Sequence, residues 1–350
     1  MIDYLIVGSG LSGIAFAEWA LQNGKTIHVF DNKSQNSSVI AGGLYNPVIL
    51  KRFSEVWKSQ EQINLALPFY SALEQKLQCV LDYKIPIFRK LFSVEEQNNW
   101  YVASDNPNLK PFIASSILYK DFHGIDAPYG YGEVVQSGYI NTSLLVKTYQ
   151  DYLNRFKFLS EESFDYSQLD ISNEFPVYKN VYYKHVVFAE GFGLHANPFF
   201  SQLPLDGTKG ELVLIKCPEL KLDAIIKSSV FILPLGNDLF KVGATYNWQD
   251  KSAEPTEAGK QELLTNLKSI LNLDFEVVAH LAGVRPTVKD RRPLVGSHPK
   301  FTRLHVLNGL GTRGVMLAPF VAKALFESIE NKTPLDENLD IRRFKKLKWD

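Results

Sequence analysis

The chain has 350 residues, 45% hydrophobic and 22% charged, with a formal net charge of +0, enough for two domains or one large elaborated one and without an overall field that would steer it to nucleic acid or an anionic membrane. Its two cysteines, Cys79 and Cys217, are too far apart in sequence for a Cys-x-x-Cys redox or zinc site and too few for a disulfide framework. No apolar run reaches the roughly 18 residues a bilayer requires, and the first core strand begins near the first residue; a cytoplasmic protein with no preceding signal segment is expected.

Tyr4-Leu5-Ile6-Val7 reads as a buried parallel strand, Gly8-Ser9-Gly10-Leu11-Ser12-Gly13 as a turn, and Ile14 to Ala20 as a helix. This G-x-G-x-x-G arrangement puts a dinucleotide pyrophosphate on a helix N-terminus: Gly8 turns the chain, Gly10 admits phosphate, and Gly13 lets helix pack on strand. A second strand, Thr26 to Phe30, ends in Asp31, eighteen residues past Gly13, with Asn32 after it. A carboxylate there accepts from a ribose hydroxyl. The segment Ser37 to Pro47, holding Ala41, Gly42, Gly43 and Leu44, is small and turn-rich and reads as a loop made for close approach.

A helix is predicted over about 61–83, then an aromatic, proline-broken stretch over 85–133 with its own short strands. Asn141 or Thr142 caps a helix through Leu153, and Lys184 to Ala189 is a second buried strand, closing on Ala189-Glu190-Gly191. Strands follow over Glu211–Lys216, Ala224–Leu233 and Leu239–Thr245, the last two joined at Gly236-Asn237-Asp238, then a helix from Thr256 to Leu271 and a strand from Phe275 to Leu281. Leu304 to Leu307, Gly309 to Gly314 and Val315 to Ile329 return to strand, turn and helix. The expected class is α/β (α+β overall): a Rossmann-like dinucleotide domain over 1–84, 135–205 and 282–350, with an inserted, mainly antiparallel β-sheet substrate domain over 85–134 and 206–281.

Gly309-Leu310-Gly311-Thr312-Arg313-Gly314 repeats the glycine pattern without room for a second nucleotide unit after it. A helix N-terminus aimed at the far end of the same cofactor accounts for it, where reduced flavin carries negative charge; a turn used only for packing is the alternative. Arg285 stands where a strand is expected to leave the inserted sheet. Its guanidinium either holds a substrate carboxylate or forms an inter-domain salt bridge to Asp290 or Glu211, and Arg291 and Arg292 face solvent or phosphate. Tyr246 and Trp248 are candidates for an aromatic pocket wall or for plain core.

These landmarks, with Gly283-Val284-Arg285-Pro286 and Ala318-Pro319, resemble the D-amino-acid oxidase superfamily of FAD-dependent oxidoreductases across essentially the whole chain. Within it the chain is similar to glycine and sarcosine oxidases and to the oxidase half of the bifunctional enzymes that mature wobble uridine in tRNA. The resemblance implies non-covalent FAD on Gly8, Gly10 and Gly13, with Asp31 at the adenosine ribose and Arg285 on the substrate carboxylate. Tyr246 and Arg313 complete the expected catalytic set. The expected reaction is oxidation of a C–N bond in a small amino acid or secondary amine, with dioxygen or another electron acceptor. Two alternatives stand beside it. The basic tail Arg342, Arg343, Lys345, Lys346 and Lys348 either is a solvated end or grips tRNA in a wobble-uridine carboxymethylaminomethyl oxidase, and a non-catalytic flavoprotein subunit is the other.

Overall fold

A computed structural model describes residues 1–349 and arranges the chain around two 8-stranded sheets. In the first, Leu159–Ser160, Ile27–Phe30, Ile2–Val7, Val181–Phe188 and Leu304–Asn308 run side by side and parallel. Tyr4, Leu5, Ile6, Val186, Val187 and Phe188 are all buried completely, the continuous apolar run that a parallel strand covered on both faces requires. Helix Leu11–Gln22 leaves the first strand and packs on helix Gly314–Glu330, which leaves the last one. Phe16 meets Phe326 with ring centroids 6.3 Å apart, and the Trp19 indole donates to the Pro319 carbonyl at 3.1 Å. The two glycine turns are thereby held side by side.

The second sheet runs in the order Glu276–Val288, Leu205–Lys216, Leu239–Gly243, Phe231–Gly236, Ile225–Lys227, Ile87–Lys90, Tyr131–Val134, Ile113–Leu118. Neighbours are antiparallel except Ile225–Lys227 with Ile87–Lys90.

Several elements depart from the sequence reading. The helix expected over 61–83 is Ser59–Leu77, stopped by Gln78 in the left-handed region at φ 53°. The strand expected over Ala224–Leu233 is two strands, because the Ser228 amide donates back to the Val230 carbonyl at 2.8 Å and turns the chain. Part of the small loop winds into one helical turn, Ser37–Ile40. The aromatic stretch also contains helix Val94–Ser104, capped by Ser93, whose hydroxyl accepts from the Glu96 amide.

The largest departure concerns Arg285. The strand expected to end at Leu281 continues to Val288, so Arg285 lies within it, paired with Thr208, rather than beyond its end. Gly283 and Pro286 look like strand breakers. The strand is the outermost of its sheet, where a proline can turn its donor-less side away from the ladder.

Candidate functional site

A cavity of about 730 Å³ runs from the first glycine turn to the face of the second sheet. Of the residues singled out above, Gly8, Gly10, Leu11, Ser12, Asp31, Asn32, Ala41, Gly42, Gly43, Leu44, Ala189, Glu190, Gly191, Tyr246, Arg285, Gly311, Thr312, Arg313 and Gly314 line it. Gly13 and Gly309 do not. A Cβ on Gly13 would stand 1.9 Å from the Gly8 carbonyl oxygen, and one on Gly309 would stand 2.8 Å from a Val288 methyl, so both allow close packing behind the wall.

This wall fits a dinucleotide. Helices Leu11–Gln22 and Gly314–Glu330 both begin at the cavity with no cap from their own N-cap residues and no acidic residue in their first turns, although the Leu11 amide donates to the Ser38 hydroxyl at 3.2 Å. Both positive ends are therefore open to a negatively charged ligand. Asp31 closes the strand Ile27–Phe30; its carboxylate accepts from the Ser9 amide at 2.5 Å, the Ser9 hydroxyl at 2.6 Å and the Lys33 amide at 2.6 Å. It thereby ties the glycine turn to the second strand, and a carboxylate retains lone pairs for a ribose hydroxyl.

Glu190 accepts hydrogen bonds from the Tyr166 hydroxyl and, at 2.8 Å, from the Asn197 amide. Burial pushes its carboxyl up to about 7 against the pull of those two donors. The folded chain thus keeps a proton that the unfolded chain has released, and this group makes the unfolding free energy fall as pH rises from about 4.5 to about 7. Glu190→Gln is expected to remove that slope. In thermal melts of the FAD-free protein the variant should gain on the parent as pH rises through this window, and parallel curves would contradict the assignment.

Arg285 has neither of the salt bridges considered for it. Asp290 pairs with Arg343 at 2.9 Å, and Glu211 is held by His280 at 2.8 Å and by the Thr256 hydroxyl at 2.7 Å. The guanidinium donates to the Thr245 carbonyl at 3.3 Å and lies 4.6 Å from the Tyr246 ring centroid. Burial lowers its pKa, with no carboxylate to oppose the shift. Arg313 is placed similarly: it donates to the Asn46 carbonyl at 3.1 Å, and burial lowers its pKa too. Tyr246 is 61% exposed and Trp248 48%, so they stand at the surface and are not core. Arg291 is exposed, whereas Arg292 lies over the Trp57 ring at 5.2 Å.

Three groups on the wall escape a reading of the sequence. Gly210 lies beneath Arg285, and a Cβ there would fall 1.9 Å from a guanidinium nitrogen. Lys227 enters the wall from the strand Ile225–Lys227, and Phe231 from the strand antiparallel to it. The only local sign of Lys227 is a lysine closing a buried apolar pair, Ile225-Ile226.

In the basic tail, Arg342 pairs with Asp340 at 2.6 Å, and Arg343 with Asp290. Two of its five cations are therefore engaged inside the molecule. Among the described residues no helix is long and apolar enough to cross a membrane, and no cluster of His, Cys, Asp or Glu is built to hold a metal.

Comparison with known proteins identifies a family and several relatives. The family model described as FAD dependent oxidoreductase, DAO, matches residues 3–328. Glycine oxidase of Bacillus subtilis (strain 168) is 24% identical over 358 residues, covering 94% of this chain and 93% of the relative. The tRNA 5-methylaminomethyl-2-thiouridine biosynthesis bifunctional protein MnmC of Burkholderia mallei (strain SAVP1) is 24% identical over 385 residues; the match takes in 96% of this chain and 58% of that protein's length. Among solved structures, glycine oxidase from Geobacillus kaustophilus superposes with a TM-score of 0.76 at 19% identity, covering 96% of each chain.

Proposed function

Because the chain belongs to the DAO family of FAD-dependent oxidoreductases, we propose that it oxidises a C–N bond in a small amino acid or secondary amine that carries a carboxylate. One observation supports this above the rest: Arg285 is a half-buried cation without an acidic partner, on the wall of the cavity that begins at the first glycine turn. Such a group binds a carboxylate bidentately and fixes which C–H bond faces the cofactor. The glycine oxidase likeness points the same way.

The chemistry FAD supplies when bound is acceptance of two electrons: the amine's α C–H bond gives up a hydride, the nitrogen lone pair closes to C=N, and water hydrolyses the imine to a carbonyl compound and a free amine. Gly8, Gly10, Leu11 and Ser12 hold the pyrophosphate at the first helix end, with Asp31 at the ribose. Gly311 to Gly314 present the second helix end to the charge that develops on reduction. Arg285 grips the carboxylate, Tyr246 packs its ring against the guanidinium, and Ala41 to Leu44 bring backbone close. Binding without a covalent tether is supported by Cys79 and Cys217, neither of which lines the cavity. Segments 85–134 and 206–281 serve as the substrate domain.

A second reading has one observation in its favour. Tyr246 and Trp248 are exposed aromatic rings, the first of them on the cavity wall, and suit stacking of a nucleobase whose carboxymethylaminomethyl arm reaches Arg285. Salt-dependent tRNA binding that Trp248→Ala removes would support it, and no binding at low salt would end it.

Turnover in air tests the leading reading. One carbonyl product and one released amine are expected per substrate consumed. Hydrogen peroxide in equal amount identifies dioxygen as the acceptor. A carboxylate amine consumed without a carbonyl product would contradict the reaction.

A further inference from the structure

The cavity wall carries seven acidic or basic side chains, and their signs are segregated. Its carboxylates are Asp31, Glu162 and Glu190. Asp31 is bound to the glycine turn through Ser9, Glu162 pairs with Lys179, and Glu190 is bound to Tyr166 and Asn197. All three belong to the end beside the first sheet. The cations are Lys51, Lys227, Arg285 and Arg313; Lys51 is exposed, and the other three are at least partly buried. No carboxylate lies among them.

Two of the three half-buried cations have their anions in the reading above. Arg313 stands at the helix end facing the reduced cofactor, and Arg285 takes the substrate carboxylate. Lys227 has none. Its ammonium makes no hydrogen bond or ion pair among the described residues, and the charged neighbour that acts on it is another cation, Arg89, across the parallel strand pair. Arg89 is itself bound to Glu96 at 3.0 Å. Burial, helped by Arg89, pulls Lys227 down to about 8, which still leaves it largely charged at neutral pH. A buried charge without a partner is costly, and a cavity that retains one is complementary to an anion that arrives with the ligand.

Position along the sheet says how far that anion lies from the first. Arg285 and Lys227 occupy strands four places apart, with Leu205–Lys216, Leu239–Gly243 and Phe231–Gly236 between them. At about 4.8 Å per strand that is roughly 19 Å across the sheet, and the row through Lys227, Phe231, Gly243 and Leu212 meets the edge strand at Leu281, about 13 Å along it from Arg285, so the two backbones are roughly 23 Å apart, a gap that the two long side chains shorten from both ends. A second acid group adjacent to the clamped carboxylate would not reach.

We propose that the substrate carries a second anionic group, separated from the amine by several bonds and bound by Lys227. This deepens the amine-oxidation reading and rests on its placement of Arg285. The substrate class becomes an N-carboxymethyl or α-amino acid with a distal carboxylate or phosphate. The distal group takes no part in bond making or breaking; it orients the chain and contributes affinity.

Binding is measured first, because it does not require turnover. Non-reacting monoacids and diacids of matched length, butyrate against glutarate and hexanoate against pimelate, are titrated into the FAD-loaded protein and followed through the flavin absorbance band. The diacid of the longer pair is expected to bind at least tenfold more tightly, a difference that Lys227→Met abolishes and Lys227→Arg largely keeps. Equal affinity within every pair overturns the proposal even if amines are oxidised. Turnover of sarcosine, N-propylglycine, iminodiacetate and N-(carboxymethyl)-γ-aminobutyrate then separates charge from size. The last should exceed its neutral analogue N-propylglycine in kcat/KM, and Lys227→Met should cut that ratio at least tenfold. A ratio that Lys227→Met leaves unchanged, with slower flavin reoxidation for every substrate alike, would assign Lys227 to the oxidative half of the reaction and overturn the proposal. FAD content and melting temperature establish that each variant is folded. If no amine is turned over while diacids still bind through Lys227, the oxidation reading fails and the anion site stands.

Discussion

Arg285→Lys is expected to lower kcat/KM for carboxylate-bearing amines by roughly 100-fold, about 3 kcal/mol, while neutral amines of similar size lose less than about fivefold. The asymmetry follows from the fork. A guanidinium offers two parallel donors to a carboxylate, and an ammonium at the same site is a point charge on a shorter stem. Arg285 is held from below by Gly210, from the side by the Thr245 carbonyl and from above by the Tyr246 ring, so its direction is set before a ligand arrives. Gly210→Ala probes this positioning separately. Its methyl occupies space now filled by the guanidinium and should raise KM for carboxylates more than it lowers kcat, with FAD retained. Equal losses for charged and neutral amines in Arg285→Lys would contradict the clamp.

Gly8→Ala should yield protein without FAD. The residue has φ +100°, and a Cβ on it would stand 2.5 Å from the Ala189 carbonyl oxygen, a backbone atom that cannot swing aside. Strain and displacement together should cost about 2–4 kcal/mol of stability and tilt the amides that receive the pyrophosphate. Gly191 provides the contrast on the same wall. It also has positive φ, 57°, yet a Cβ there meets nothing within 4 Å, so Gly191→Ala should cost only about 1 kcal/mol and keep its FAD. The ratio of flavin absorbance to protein absorbance reads the difference, and melting curves give the stability. Equal loss of FAD from both variants would show that the close approach of Gly8 to the strand end is not what forms the turn.

The parts of the site readable from sequence are those built from neighbours in the chain. Gly8, Gly10, Leu11, Ser12, Asp31, and Gly311 to Gly314 each lie at a strand end followed by a helix or a turn, and that local order places them on the wall without knowledge of the rest of the fold. Gly210 and Lys227 are different. Gly210 underlies Arg285 only because Leu205–Lys216 pairs with Glu276–Val288 in a register that sets Thr208 opposite Arg285. Lys227 joins the same cavity only because Phe231, Gly243 and Leu212 line up as a row across the sheet. No periodicity within either segment encodes those pairings.

Other departures had a local signal that a stronger one masked. Ser93 and Glu96 form a reciprocal cap, with the Glu96 carboxylate accepting from the Phe92 amide at 2.9 Å, inside a stretch whose prolines and aromatic residues suggest only short strands. The strand expected over Phe275–Leu281 runs on to Val288 and carries Arg285, and as an edge strand it tolerates Pro286. Whether the Arg285 guanidinium would meet Asp290 or a ligand depended on what else those acids bind. Arg343, His280 and Thr256 decide it, from positions 45 to 69 residues distant in the chain from the acids they hold.

The most direct measurement of the central claim is the flavin absorbance of the FAD-loaded protein, held without oxygen near neutral pH while glycine, sarcosine, proline, several D-amino acids and their N-carboxyalkyl relatives are added one at a time. At least one carboxylate-bearing amine should bleach the band completely and stoichiometrically, its amide counterpart should bleach it far more slowly, and Arg285→Lys should erase that distinction. A band that dithionite bleaches and no amine does, or one bleached equally well by acid and amide, would contradict an amine oxidase that grips its substrate through Arg285.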